Sequence, residues 1–260
     1  MLLAFDVGNT NTVLGVFNDG ELLTNWRIQT DTNKGSDEYG MLLKQLFEHE
    51  GFNIKDITNI IISTVVPSIL HTLQNVSMKY FHLRPLIVNA EINTGLTIKI
   101  DNPKQLGADR IVNAVAAYEK FGGPLIIIDF GTATTFDVVS ENAEYLGGTI
   151  APGLKVSLDA IVEKTAQLPK VELVPPGHVI GKNTIHSMQS GLVYGHMGMV
   201  DFILKKMKTE LKALTPSGAP IKIIATGGLA TLIEAGLDGV DYVDKLLTLE
   251  GLSIIFEKNR

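Results

Sequence analysis

Two segments of this 260-residue chain follow one plan, and this repeat restricts the fold more than any other feature. The first runs Leu2-Leu3-Ala4-Phe5-Asp6-Val7-Gly8-Asn9-Thr10-Asn11-Thr12, the second Leu125-Ile126-Ile127-Ile128-Asp129-Phe130-Gly131-Thr132-Ala133-Thr134-Thr135. Each is an apolar run, an acid, a turn built on glycine and small polar residues, and a second apolar stretch. Asp6 and Asp129 lie 123 positions apart (129 − 6), close to half the chain. At that one shift Gly8 aligns with Gly131 and Thr12 with Thr135. The chain therefore reads as two halves on one architecture.

Each half continues alike. Residues 12–18 and 21–28 alternate as strands around Asn18-Asp19-Gly20, a strong hairpin signal. Residues 134–139 and 145–151 do the same around Ser140-Glu141-Asn142. Residues 37–50 have helical spacing, with Ser36 placed to cap them, and 107–120 carry Ile111, Val112, Val115 and Tyr118 on one stripe. Residues 58–65 and 85–89 read as further strands. Strands mixed with helices define an α/β layered fold. Gly122-Gly123-Pro124 marks the boundary, giving an N-terminal lobe over 1–119 and a C-terminal lobe over 120–260. A long helix is expected over 184–213, capped by Asn183 or Thr184. Its Gly191, Gly195 and Gly198 share a face. Glycine there costs about 1 kcal/mol against alanine, so either packing within the chain or a subunit interface is expected to offset it.

Composition limits the function. Hydrophobic residues at 45% and charged residues at 19% exclude a disordered chain. A net charge of −6 argues against nucleic-acid binding, which favours a basic excess. The absence of cysteine removes thiolate nucleophiles, disulfides and Cys-ligated zinc. No apolar run approaches the ~20 residues of a membrane span, and the N-terminus lacks the basic start of a signal peptide. A soluble, cytoplasmic protein is expected. The six histidines show no metal-ligand spacing: on a helix of 3.6 residues per turn, His186 and His196, ten apart, are about 15 Å apart along the axis, too far to share a metal. These histidines read as satisfied core or surface residues, and Trp26 as a packing residue.

The chemistry concentrates at the two repeats. A tight turn without bulky side chains lets backbone N–H groups close around phosphate oxygens, with Thr and Asn as added donors. An aspartate beside phosphate calls for a bridging Mg²⁺. Two such turns in matching halves can grip one polyphosphate. Neither a Walker A lysine loop nor a Gly-x-Gly-x-x-Gly turn competes. Ala225-Thr226-Gly227-Gly228-Leu229, after the apolar run Ile221 to Ile224, reads either as a third nucleotide-facing turn or as a plain strand–helix connection. Asp109, at the start of an apolar helix, is by itself an N-terminal acid of the kind that stabilises a helix by about 1 kcal/mol.

The paired Asp-Gly-Thr turns with a late double glycine resemble the acetate and sugar kinase, actin and chaperone ATPase superfamily. Within it, Asp6-Val7-Gly8-Asn9-Thr10-Asn11, Gly107-Ala108-Asp109-Arg110, Asp129-Phe130-Gly131-Thr132-Ala133-Thr134 and Gly181-Lys182-Asn183-Thr184 together resemble the type III pantothenate kinases over nearly the whole chain. The resemblance implies two duplicated ribonuclease H-like lobes with a nucleotide cleft between them, and ATP-dependent phosphorylation of pantothenate to 4′-phosphopantothenate, the first step of coenzyme A biosynthesis. It implies Mg²⁺, a monovalent cation (K⁺ or NH₄⁺) and a homodimer. By motif, Asp6, Val7, Gly8, Asn9, Thr10, Asn11, Thr12 and Val13 would bind ATP, with Asp6 near Mg²⁺ and Thr132 reaching the phosphates. Asp129 would bind the monovalent cation. Ile100, Gly107, Ala108, Asp109, Arg110 and Thr184 would contact pantothenate, Asp109 as general base. Arg110 would bind the substrate carboxylate or support Asp109. Ile100 departs from the family, many of whose members carry an aromatic residue there. It offers the substrate methyl contact and no hydroxyl. A kinase of another hydroxylated substrate and a nucleotide-sensing regulator are the competing readings, and the intact Asp109 argues against a regulator that had lost catalysis.

Overall fold

The computed structural model describes residues 1–230 and 239–260. They form two compact units: Met1–Leu96 with Asp101–Ala116 and Leu246–Arg260, and Thr97–Ile100 with Ala117–Lys245.

The first unit opens with three strands, β1 (Leu2–Val7), β2 (Asn11–Asn18) and β3 (Glu21–Gln29), followed by helix α1 (Ser36–His49). Next come β4 (Asn59–Thr64), α2 (Pro67–Val76), β5 (Leu86–Ile87) and the start of α3 (Ala108–Phe121). The sheet order is β3-β2-β1-β4-β5. The first three strands form an antiparallel meander, while β4 and β5 join in parallel. Asp19 and Gly20 both adopt positive φ, 48° and 84°, which the tight I′ hairpin requires and which the Asp-Gly pair supplies at little strain. Leu3, Phe5 and Val7 alternate onto one sheet face and meet Tyr39, Leu43 and Phe47 of α1 and Ile69, Leu73 and Val76 of α2 in a closed core. Trp26 packs at its margin against Phe47, ring centroids 5.4 Å apart, as a packing residue should. Ser36 does not cap α1. It is the first helical residue, Gly35 holds the cap position, and the Gly35 N–H donates to Glu38 Oε2 at 2.8 Å.

The second unit repeats the scheme. β6 (Thr97–Ile98) precedes β7 (Leu125–Phe130), β8 (Ala133–Val139) and β9 (Glu144–Pro152), then α4 (Leu154–Glu163), α5 (Thr184–Ala213), β10 (Lys222–Thr226) and β11 (Tyr242–Val243). The sheet order is β11-β10-β7-β8-β9-β6. Removing the edge strand β6 leaves β9-β8-β7-β10-β11, the same order and the same strand directions as the first sheet. The duplication read from the sequence is thus a duplication of topology. Ile126, Ile128, Phe130 and Phe136 bury one face against Val193, Val200 and Leu204 of α5.

The chain closes on α6 (Leu247–Lys258), which belongs to the first unit and packs on β1, β2 and β4. A division at residue 119 differs from these units at three places: Leu246–Arg260 joins the first, Thr97–Ile100 joins the second through β6, and the second already begins at Ala117. Asn183 caps α5, its Oδ1 accepting from the His186 N–H at 2.8 Å. Gly191, Gly195 and Gly198 are exposed, and a Cβ on any of them would meet no atom within 4 Å among the described residues. Packing against the described residues therefore does not explain this face. No described helix is long and apolar enough to cross a membrane.

Candidate active site

The two repeated turns sit at equivalent places. In the first unit the Gly8 N–H donates to Asn11 O at 3.0 Å, leaving Asn9 and Thr10 exposed at the tip. In the second the Gly131 N–H donates to Ala133 O at 3.1 Å, with Thr132 exposed. The second turn is thus one residue shorter. This corrects the alignment across the repeat: Thr12 pairs with Val7 and Thr134 pairs with Phe130, so the counterpart of Thr12 is Thr134, not Thr135. Both threonines are buried, each 1% exposed. The ends of the third strands clamp the turns in the same way, Thr30 N–H donating to Thr10 O at 3.0 Å and Gly153 N–H to Thr132 O at 3.1 Å.

Each aspartate stands on the last residues of its central strand. Asp6 lies in register with Val13 and Ser63, Asp129 with Thr135 and Thr226. Both are half-buried. The neighbouring parallel strand therefore carries a hydroxyl residue beside each acid. The Ser63 hydroxyl is buried with no hydrogen-bond partner among the described residues.

Gly227 gives the third sequence element its role. Its φ is +95°, and a Cβ there would lie 2.4 Å from Asp129 Oδ1 and 2.6 Å from Phe130 N. The β10 turn lies directly against the start of the second repeated turn, and only glycine leaves room for the Asp129 carboxylate. Gly153 is constrained likewise, since its Cβ would lie 2.3 Å from Thr132 O.

Asp109 occupies the first turn of α3. Its Oδ1 accepts from the Arg110 N–H at 2.8 Å. A Cβ on Gly107 would lie 2.6 Å from that oxygen and 3.6 Å from Val65 Cγ1. The Val65 N–H in turn donates to Val7 O at 3.1 Å. Gly107 and Asp109 therefore stand at the carboxyl ends of β1 and β4, where the first turn also begins. Burial raises the Asp109 carboxyl above its ordinary pKa, against the opposing pull of the Arg110 N–H and guanidinium. A carboxylate held partly out of water is a stronger proton acceptor than a fully solvated one.

The remaining expected residues belong to the second unit. Ile100 lies beside Gly147 of β9, 3.7 Å from the position a Cβ would take there, and Thr184 opens α5 in an exposed position. Thus Asp6–Val13 and Gly107–Arg110 share one unit, and Ile100, Asp129, Thr132 and Thr184 the other. Sequence reasoning passed over Thr30, Gly153 and His196. The first two are readable only once β3 and β9 are superposed by register.

The family model for type III pantothenate kinase matches residues 2–206. The chain belongs to the type III pantothenate kinase family. A type III pantothenate kinase of Myxococcus xanthus is 51% identical over 259 residues, covering 100% of this chain and 99% of that protein. Among solved structures, a protein of Campylobacter jejuni assigned to the Baf family of transcriptional activators shares 22% identity at a TM-score of 0.59, covering 99% of this chain and 98% of that one. A protein of Sinorhizobium meliloti assigned as a 2-dehydro-3-deoxygalactonokinase shares 12% identity at 0.55, covering 99% and 96%. These two likenesses establish the fold alone, an α/β fold shared with a sugar kinase of S. meliloti. The pantothenate kinase phosphorylates pantothenate with ATP in coenzyme A biosynthesis. In an ATP-dependent kinase a divalent metal accompanies the nucleotide.

Proposed function

We propose that Asp109 is the general base, and that the two turns divide the work of holding ATP. The observation that carries this reading is the placement of a half-buried carboxylate, for which the absence of a Cβ on Gly107 leaves room, at the same strand ends as Asp6. The turn Asp6–Val13 holds the nucleotide and Thr132 reaches its phosphates. Gly107, Ala108, Arg110, Ile100 and Thr184 contact pantothenate. The primary hydroxyl oxygen forms a bond to the γ-phosphorus as the bond to the β,γ-bridging oxygen breaks. The hydroxyl proton passes to the Asp109 carboxylate, and ADP leaves with the bond's electron pair. Arg110 supplies a fixed cation for the pantothenate carboxylate or for Asp109 itself.

Mg²⁺ fits the residues present. No group of three or more His, Cys, Asp or Glu forms a metal cage among the described residues. Mg²⁺ in kinases needs only one or two carboxylates beside the phosphate oxygens, and Asp6 provides one. When bound, Mg²⁺ neutralises charge on the phosphates. The monovalent cation is assigned to Asp129, the acid that ends the central strand of the second unit and against which the Gly227 turn packs. The open Gly191–Gly195–Gly198 face of α5 supports a homodimer, and a role in coenzyme A biosynthesis supports a cytoplasmic enzyme. The acidic net charge supports a role without nucleic acid.

The cation role is tested by initial rates in K⁺, NH₄⁺ and Na⁺ at constant ionic strength. Turnover is expected to need K⁺ or NH₄⁺, and Asp129→Asn should raise the half-saturating K⁺ by about tenfold, the loss of one charge-assisted contact of roughly 1.5 kcal/mol. Equal rates in Na⁺ alone, or an unchanged K⁺ requirement in the folded variant, would remove the monovalent cation from Asp129.

A further inference from the structure

We propose that His196 is a positioning residue for phosphoryl transfer: its imidazole latches Thr134 and thereby holds the second phosphate turn, Gly131–Ala133, in place for the nucleotide. This rests on the reading that the second turn faces ATP.

The duplication makes the case. In the first unit the buried Thr12 hydroxyl bonds to Thr30 Oγ1 at 2.9 Å, and Thr30 Oγ1 also donates to Gly8 O at 2.7 Å. Thr30 is thus a side-chain latch that ties Thr12 to the first residue of the turn. Its N–H clamps Thr10 O from the end of β3. The position in the second unit that makes the same backbone clamp, at the end of β9, is Gly153. No side chain fits there, because a Cβ would strike Thr132 O at 2.3 Å and Gly131 O at 2.6 Å. The second meander therefore cannot supply its own latch. The bond comes instead from another element: His196 Nε2 of α5 lies 3.1 Å from Thr134 Oγ1. Both side chains are buried, His196 at 7% exposure. The imidazole also lies 6.3 Å from the Phe130 ring, which immediately precedes the turn. One side chain thus braces both ends of Gly131–Ala133.

The chemistry suits the task. Burial holds the His196 pKa below its ordinary value, so the ring is neutral at pH 7 and keeps one donor and one acceptor nitrogen. A buried hydroxyl left without a partner is unfavourable, so the Thr134–His196 bond favours one arrangement of the turn over its alternatives. α5 is consequently more than a core helix. Its first turn carries Thr184, and its fourth braces the phosphate turn.

Four variants test this: His196→Phe, which keeps a ring beside Phe130 but loses the bond; His196→Gln, which keeps a polar partner; Thr134→Val, which loses the bond from the other side; and the double variant His196→Phe/Thr134→Val. Each loss of the bond is expected to lower kcat/KM for ATP about five- to tenfold, matching one hydrogen bond. KM for pantothenate should be unchanged, the double variant should be no worse than either single, and His196→Gln should restore most of the loss. Folded His196→Phe or Thr134→Val protein with ATP kinetics within about twofold of the parent would overturn the latch, as would losses that multiply in the double variant. Should His196→Phe fail to fold, Thr134→Val carries the test. Thr132→Val separates the two levels. Weakened ATP kinetics there with none in the latch variants overturns the latch alone. Unchanged kinetics in Thr132→Val removes the second turn from ATP, and the latch with it.

Discussion

Asp109→Asn is expected to lower kcat by on the order of 10²–10⁴-fold, the range a positioned general base contributes, while raising the melting temperature at pH 7. The two effects share one cause. Burial lifts the folded-state pKa of Asp109 above the ordinary carboxylate value. The folded protein therefore binds this proton more tightly than the unfolded chain does. The associated stability is fully present below the ordinary carboxylate pKa and is lost as pH rises through the raised folded value. At pH values above the ordinary carboxylate pKa the carboxyl group opposes folding, and the isosteric amide removes that opposition. Thermal melts at pH 4 and pH 7 should show the variant gaining on the parent as pH rises. Activity of the parent should rise with pH through the same elevated pKa. A variant that retains turnover would exclude Asp109 as the base. One that loses activity and stability together would show that the carboxylate is a structural group.

Gly227→Ala should damage the second unit more than any conservative exposed change. The residue sits at φ +95°, and a positive φ costs an L-residue about 1–2 kcal/mol. Its new Cβ must also displace Asp129 Oδ1 and the Phe130 backbone, both closer than 3 Å. The backbone cannot give way as a flexible side-chain tip can. A melting temperature lower by several degrees and kcat/KM reduced at least about tenfold are expected, since displacements near 1 Å cost catalysis up to 10². Gly198→Ala, inside α5 where nothing lies within 4 Å of the new methyl, should show no loss of monomer stability. Equal tolerance at both glycines would contradict the close approach of β10 to Asp129.

Much of this architecture is legible in the sequence because the repeat is written in residues whose physics is strict. An acid after an apolar strand and a glycine-bearing turn recur at one offset, and the Asp19-Gly20 hairpin has few alternatives to positive φ. The long helix begins where Asn183 says it should. What escapes the sequence is set by register and by tertiary contact. The one-residue shortening of the second turn hides the equivalence of Thr12 and Thr134 until the hairpins are paired. Ser36 looks like a cap, but the Gly35 N–H with Glu38 closes the helix end instead. Thr97–Ile98 is too short to read as a strand and gains its identity only by pairing with β9. The return of α6 to the first unit depends on which sheet face remains uncovered, a property no local window contains. His196 illustrates the same limit. It reads as an ordinary core histidine, and only the bond to Thr134 and the bare position at Gly153 give it a task.

The most direct test of the account is ADP release from purified protein supplied with ATP, Mg²⁺ and K⁺, measured with and without pantothenate and with the acceptor product identified by mass. The account predicts ADP formation that depends on pantothenate and matches 4′-phosphopantothenate mole for mole. ATP turnover indifferent to pantothenate, or a faster transfer to another hydroxylated acceptor, would contradict it.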